Sequence, residues 1–146
     1  MMLNFKEIHI GKLLNELVTE QEVSIARVCN FMKCTEKEVE EMYNMKSLDT
    51  EVLLKWSKLL EYDFFRLYSQ HLILYAPVAN SNYTDRNSNS SLPQFRKNIY
   101  TKEVIDYILN KIEKGEMTKI EVIERYHIPK TTLYKWISKY NKNSTK

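Results

Sequence analysis

The stretch that decides the fold is TKIEVIERYHIPKTTLYKWISKY, residues 118–140. In its second part, apolar side chains recur at the i, i+3, i+4, i+7 spacing that defines one stripe of a helix. These side chains are Leu133, Trp136, Ile137 and Tyr140. The first part opens with a T-x-x-E capping box, Thr118 and Glu121. The spacing predicts two short helices, and Ile120, Ile123 and Tyr126 are expected to face inward from the first.

Polar side chains occupy the other face of the second helix. Thr131, Tyr134, Lys135 and Ser138 repeat the helical spacing there. From residue 118 onward the chain has seven Lys or Arg and two acidic residues, a balance that attracts phosphates. A helix that packs through one side and presents cations and hydroxyls on the other suits the DNA major groove. The alternative is a plain helical hairpin with a solvated lysine face.

The run YHIPKTTLYKW resembles the "YGIS-x-STLYRW" run in the helix-turn-helix of insertion-sequence transposases and their small DNA-binding subunits. The resemblance implies a three-helix DNA-binding domain over residues 96–146, with residues 130–140 in the major groove. His127 stands where such motifs usually have a glycine with positive φ, and histidine tolerates that conformation better than a β-branched residue. The contacts expected with double-stranded DNA are Thr131, Tyr134 and Lys135 to base edges, and Lys119, Lys130 and Lys139 to phosphates.

The segment before this domain has the composition of a flexible linker. Eight of the twelve residues from Asn80 to Ser91 are Asn or Ser, and such a run buries too little apolar surface to offset its ordering entropy. We therefore place a flexible linker at residues 77–95. Arg96 and Lys97, which follow it, are expected to contact phosphates, as an arm that enters the minor groove. Ordinary solvation of the linker end is the alternative for this pair.

The first 76 residues predict four or five short helices. Ser24 can cap one helix, Thr35 and Glu38 form a second capping box, and Asp49 or Thr50 can open a further helix. Over residues 10–68 this half resembles the helix-turn-helix domain of Xre and Cro repressors, whose apolar framework positions are occupied by Val28, Cys29, Cys34, Val39 and Met42. With Val39 and Met42 turned inward, however, the corresponding recognition helix would expose mainly glutamates, which phosphates repel. We expect this half to be a module for oligomerisation or protein interaction.

The apolar run FFRLYSQHLILYA, residues 64–76, supports that expectation. Its apolar residues fall on more than one side of a helix, and an exposed remainder would mark an interface. The run predicts a homodimer whose interface includes Phe64, Phe65, Leu72 and Leu74. The alternative is a terminal helix that folds fully onto its own bundle.

Composition and charge define the class of protein. The chain of 146 residues has a net charge of +3, but residues 1–76 carry −3 and residues 77–146 carry +6, so one half is suited to nucleic acid. No nucleotide-binding or hydrolase motif occurs, and His9, His71 and His127 are far apart, so we expect no enzyme, cofactor, metal or small-molecule substrate. Two cysteines, Cys29 and Cys34, predict buried free thiols and fit a reducing cytoplasm, where the protein would associate with the nucleoid. Met1 to Gly11 lacks the apolar core of a signal peptide, and no apolar run is long enough to span a membrane.

These patterns together predict an all-α protein with two small helical domains of the helix-turn-helix type. The resulting expectation is a sequence-specific DNA-binding protein, either a transposase-like small subunit or a transcriptional regulator. The alternative is an adaptor whose acidic N-terminal domain binds a protein partner, with no specific recognition of DNA.

Overall fold

The computed structural model describes residues 3–76, 91–93 and 100–140. These residues form eight α-helices and contain no strand, which confirms the all-α prediction. The helices are α1 (Ile10–Glu20), α2 (Ile25–Met32), α3 (Glu36–Tyr43), α4 (Thr50–Leu60), α5 (Phe65–Tyr75), α6 (Lys102–Glu113), α7 (Lys119–Tyr126) and α8 (Lys130–Tyr140). The predicted linker lies outside the described residues apart from 91–93, and so do Arg96 and Lys97.

The chain forms two compact units. One is Asn4–Tyr68, and the other combines Leu3 with the chain from Ser69 onward, which includes α6, α7 and α8. The division therefore falls within α5, whereas composition places the start of the linker at residue 77. Since the second unit includes the chain from Ser69 onward, the last turns of α5 belong to it.

The helices of the first unit begin where the sequence predicts. Ser24 accepts a hydrogen bond from the Arg27 N–H, and Asp49 accepts one from the Glu51 N–H. The capping box at α3 is complete: the Glu38 N–H donates to Thr35 Oγ1 at 3.2 Å, and the Thr35 N–H donates to a Glu38 carboxylate oxygen at 2.8 Å. These bonds satisfy N–H groups that have no partner within the helix.

The core of the first unit joins its first four helices, because α1 packs on α3 and α4, and α2 also packs on α3 and α4. The fully buried side chains at its centre are Ile10, Leu14, Val28, Val39 and Trp56. The indole N–H of Trp56 is directed at the sulfur of Met42, 3.3 Å away. Leu53 and Leu60 of α4 are also buried in this core.

Gly11 permits a close approach between α1 and the end of α3. A methyl group at this position would overlap the carbonyl oxygens of Met42 and Tyr43 at the end of α3. The N–H groups of Ile10 and Gly11 also donate to the carbonyls of Lys46 and Met45, each at 2.9 Å. Backbone contacts thus hold the start of α1 against the end of α3 and the residues that follow it.

Helix α5 buries one side and exposes the other. Leu67, Gln70 and Leu74 are buried, whereas Tyr68 is 36% exposed and Leu72 is 58% exposed. Gln70 Oε1 accepts a hydrogen bond from the Thr101 N–H at 3.2 Å, and the hydroxyl groups of Tyr75 and Tyr107 are 3.3 Å apart. These two contacts attach the end of α5 to the start and the middle of α6.

In the second unit, α6 and α7 both pack on α8. Its most buried side chains are Val104, Ile108, Val122, Ile128 and Leu133. The expectation that Ile120 faces inward is wrong, because this side chain is 68% exposed. Val122 and Tyr126, spaced i and i+4, set the buried side of α7, and Ile120 lies about 200° around the helix from Val122.

Candidate nucleic-acid interface

The connection between α7 and α8 is fixed by backbone geometry. His127 ends α7 in the left-handed conformation, with φ 52° and ψ 39°, which is the conformation that glycine usually supplies there. Ile128 is buried, and the carbonyl of Pro129 accepts the first hydrogen bond of α8, from the Leu133 N–H at 3.1 Å. The two helices are therefore joined by a tight, well-packed turn.

The start of α7 is fixed equally well. The Glu121 N–H donates to Thr118 Oγ1 at 3.2 Å, and the Thr118 N–H donates to a Glu121 carboxylate oxygen at 2.8 Å. The predicted capping box is thus present in full. It holds the backbone of Lys119, which is the first residue of α7.

Helix α8 has the two faces that the sequence predicts. Leu133 is fully buried, and Trp136, Ile137 and Tyr140 are half-buried on the same side. The opposite side is exposed and consists of Thr131, Tyr134, Lys135, Ser138 and Lys139. All three residues predicted to contact base edges therefore lie together on an accessible surface.

Cations from two helices flank the exposed ring of Tyr134, which is 43% exposed. The ammonium nitrogen of Lys119 lies 5.4 Å from the centroid of this ring, and that of Lys130 lies 5.7 Å away. Both separations are within the range of a cation–π contact. Lys139 makes a similar contact with Tyr140, at 5.3 Å. We call the surface formed by Lys119, Lys130, Thr131, Tyr134 and Lys135 the basic face.

Two of the three lysines of this face belong to α8, which contains no acidic residue, and the third, Lys119, belongs to α7. Helix α3 has the opposite balance, with four glutamates and one lysine. Its exposed residues are Glu36, Lys37, Glu38, Glu40 and Glu41, while Val39 is buried and Met42 is half-buried. The acidic surface expected for the Xre-like helix is therefore present on α3.

Aromatic contacts support the base of the three-helix unit. The rings of Tyr100 and Trp136 meet edge to face, with centroids 5.1 Å apart. This contact fixes the residue that precedes the Thr101 cap of α6 against the packed side of α8. Sequence periodicity within α8 marks Trp136 as buried, but it gives no sign of this partner 36 positions away.

Two features of the second unit escaped sequence reasoning. Gln70, which is 1% exposed, is bonded to the backbone N–H of the helix cap Thr101. Burial, together with the hydrogen bond to Tyr107, raises the pKa of Tyr75 to about 12. The position of Gln70 within an apolar run is a signal that the sequence does contain. A side-chain amide that is buried together with its apolar neighbours requires a hydrogen-bond partner. The position of that partner cannot be read from local sequence.

The cysteines and the predicted dimer residues are also located. Cys29 and Cys34 are free, as expected, but they are half-buried rather than fully buried, and burial raises the pKa of the Cys34 thiol. Among the described residues, no group of three or more His, Cys, Asp or Glu side chains could hold a metal ion.

Of the predicted interface residues, Phe64 and Leu74 are buried within the chain, Phe65 is half-buried and Leu72 is exposed.

Comparison of the chain with protein-family models, with curated proteins and with solved structures gives no match. Within the part of the chain that the structure describes, no helix has both the length and the apolar character needed to cross a membrane. The residues of the basic face and their geometry are therefore the features of this protein that indicate a function.

Proposed function

We propose that the protein is a sequence-specific DNA-binding protein that places α8 in the major groove of double-stranded DNA. One observation carries this proposal: the exposed side of α8 presents Thr131, Tyr134 and Lys135, and lysines from two helices border it. The opposite side is packed against the rest of the unit through Leu133. A helix held in this way can enter a groove without exposing its apolar side.

The side chains of the basic face and the cations beyond it have distinct roles in this proposal. Thr131, Tyr134 and Lys135 contact base edges, because they lie on the exposed side of the helix that enters the groove. Lys119, Lys130 and Lys139 neutralise phosphates and give the binding its dependence on salt. Arg96 and Lys97 extend the phosphate contacts as an arm toward the neighbouring minor groove.

A second role is proposed for the first unit. The glutamates of α3 are exposed and would be repelled by phosphates, so this unit contacts a protein rather than DNA. If the basic face proved unable to discriminate DNA sequences, the acidic surface of α3 would favour an adaptor that binds a basic partner.

The resemblance of YHIPKTTLYKW to transposase motifs favours a transposase-like small subunit or a transcriptional regulator.

We also propose that the protein binds DNA as a homodimer. A single three-helix module buries only about 600–1,000 Å² on DNA, and two modules together give a larger specific interface. Leu72 is the candidate contact on α5, since it is 58% exposed. Phe64 and Leu74 are already buried within one chain, so they support the helix rather than meet a partner.

Selection of binding sites from a random duplex library tests the main proposal. The full-length protein is expected to enrich one sequence and to bind it more tightly than a scrambled duplex. Replacing Tyr134 and Lys135 by alanine should reduce this preference by about 30-fold or more, since each of the two base-edge contacts contributes about 1–3 kcal/mol.

Lys114→Ala is the charge-matched control, because it also removes one exposed lysine, and this lysine follows α6 and is not part of the basic face. This variant should keep the full preference for the selected site. Circular dichroism establishes that both variants retain their helices. Unchanged discrimination by the double variant, or equal losses in the two variants, would exclude α8 as the helix that recognises the sequence.

A further inference from the structure

We infer that Lys119, which lies on α7 and not on the DNA-recognition helix, is a specificity-determining positioning residue that orients the ring of Tyr134 for base contact. This inference rests on the proposed function, and it extends the role of Lys119 beyond a phosphate contact. The observation behind it is the 5.4 Å separation between the Lys119 ammonium nitrogen and the centroid of the Tyr134 ring.

The two lysines beside Tyr134 differ in what they can restrain. Lys130 lies four residues before Tyr134 on the same helix, so its contact follows from helical spacing and moves with α8. Lys119 belongs to a different helix, so its contact fixes the ring relative to the body of the unit. A ring that carries cations from two directions has fewer accessible rotamers than a tyrosine exposed to solvent alone.

The backbone that supports Lys119 is itself well anchored. Thr118 and Glu121 close the capping box around it, with hydrogen bonds of 3.2 and 2.8 Å. On the other side, Leu133 is fully buried beside Tyr134 and sets the rotation of α8. Both ends of the contact between Lys119 and Tyr134 are therefore fixed by packing or capping, and only the two side chains remain to be aligned.

Prior alignment matters because an exposed tyrosine loses rotamer freedom when it docks on a base edge, and that loss reduces affinity. A Tyr134 ring that Lys119 already holds in place loses less rotamer freedom when it docks. Since only the cognate base pair accepts the Tyr134 contact, the benefit appears on the selected site and not on a scrambled duplex. Lys119 thus contributes twice, to both duplexes through a phosphate and to the selected duplex through Tyr134.

The experiment compares Lys119→Met with Lys139→Met in the full-length protein, using the selected duplex and a scrambled duplex over a range of salt concentrations. Methionine keeps much of the length of the lysine stem and removes the charge. Lys139 is the matched control because it is also exposed and also contacts a tyrosine ring, that of Tyr140, at 5.3 Å. Each variant should lose one phosphate contact and reduce the salt slope by about 1.

Only Lys119→Met should also reduce the ratio of the two affinities, by about two- to fivefold, the factor expected for an exposed cation–π contact. Lys119→Arg, which retains a cation above the ring, should restore the ratio. In a Tyr134→Leu background, Lys119→Met should no longer change the ratio, because the ring that it positions is absent. Equal losses on both duplexes, or a ratio effect that persists without Tyr134, would overturn the inference.

A measurement without DNA separates this inference from the proposed function. The ε-methylene protons of Lys119 should show an upfield ring-current shift in the NMR spectrum, and Tyr134→Leu should abolish it. Absence of that shift would overturn the positioning role even if the protein selected a DNA sequence. If the shift were present and the protein preferred no sequence, the proposed function would fail, and with it the role of Lys119 in specificity.

Discussion

Replacement of Gly11 by alanine should destabilise the first unit, although alanine is the better helix former. The added methyl group would overlap the carbonyl oxygens of Met42 and Tyr43, which are backbone atoms at the end of α3. To relieve the overlap, the start of α1 must move away from α3. That movement weakens the hydrogen bonds from the Ile10 and Gly11 N–H groups to Lys46 and Met45.

The magnitude follows from these contacts. Loss of the two backbone hydrogen bonds costs about 1 kcal/mol each. Overpacking in a close-packed region costs about 1–3 kcal/mol more. The higher helix propensity of alanine returns at most about 1 kcal/mol. The unfolding free energy of the first unit should therefore fall by about 2–4 kcal/mol, a large part of the stability of a small domain.

Urea titration followed by tryptophan fluorescence measures this change. Trp56 is fully buried in the first unit, and a Trp136→Phe background removes the signal of the second unit. Asn15→Ala is the matched control, because residue 15 is exposed on α1 and gains helix propensity without a new contact. If Gly11→Ala were as stable as the background protein, the close approach of α1 to α3 would be refuted.

Two further predictions concern α5. Leu72→Glu should keep the fold and convert a dimer to a monomer, whereas Leu74→Glu should unfold the second unit because residue 74 is buried. Light scattering measures the oligomeric state and circular dichroism measures the helix content of each variant. A monomeric wild-type protein at tens of micromolar would contradict the dimer. Burial and the Tyr107 hydrogen bond raise the pKa of Tyr75 from 10.0 to about 12. As the pH rises from 10 toward 12, the Tyr75 hydroxyl therefore loses its proton in the unfolded chain before it does so in the folded chain. The free energy of unfolding should fall over this pH range. Tyr75→Phe should make that fall less steep, as measured by urea midpoints from pH 9 to 12, and an identical slope would exclude a contribution from Tyr75.

Local sequence predicts the helices and their limits well. The capping boxes at Thr35 and Thr118 form as expected, and Ser24 and Asp49 cap the helices that the sequence assigns to them. These features are predictable because a cap bonds to a backbone N–H only two or three residues away. The exposed side of α8 is predictable for a similar reason, since a continuous apolar stripe defines the packed side and leaves the other open.

The side that a helix buries is less predictable where apolar residues occur all around it. In α7, Val122 and Tyr126 are buried while Ile120 is exposed, although all three are apolar or aromatic. In the run at residues 64–76, Phe64 and Leu74 are buried while Leu72 is exposed. Which of these side chains is buried depends on the shape of the neighbouring helices, and the apolar pattern of a single helix gives no information about that shape.

By itself, the sequence determined the all-α class, the helix starts, the acidic side of α3 and the basic side of α8. Each of these depends on residues within one or two helical turns. The tertiary structure alone decided that Gly11 meets the end of α3, that Gln70 bonds to the cap of α6, and that Lys119 lies beside Tyr134. These pairs are 15 or more positions apart, and they meet only because packing of the apolar faces fixes how the helices cross.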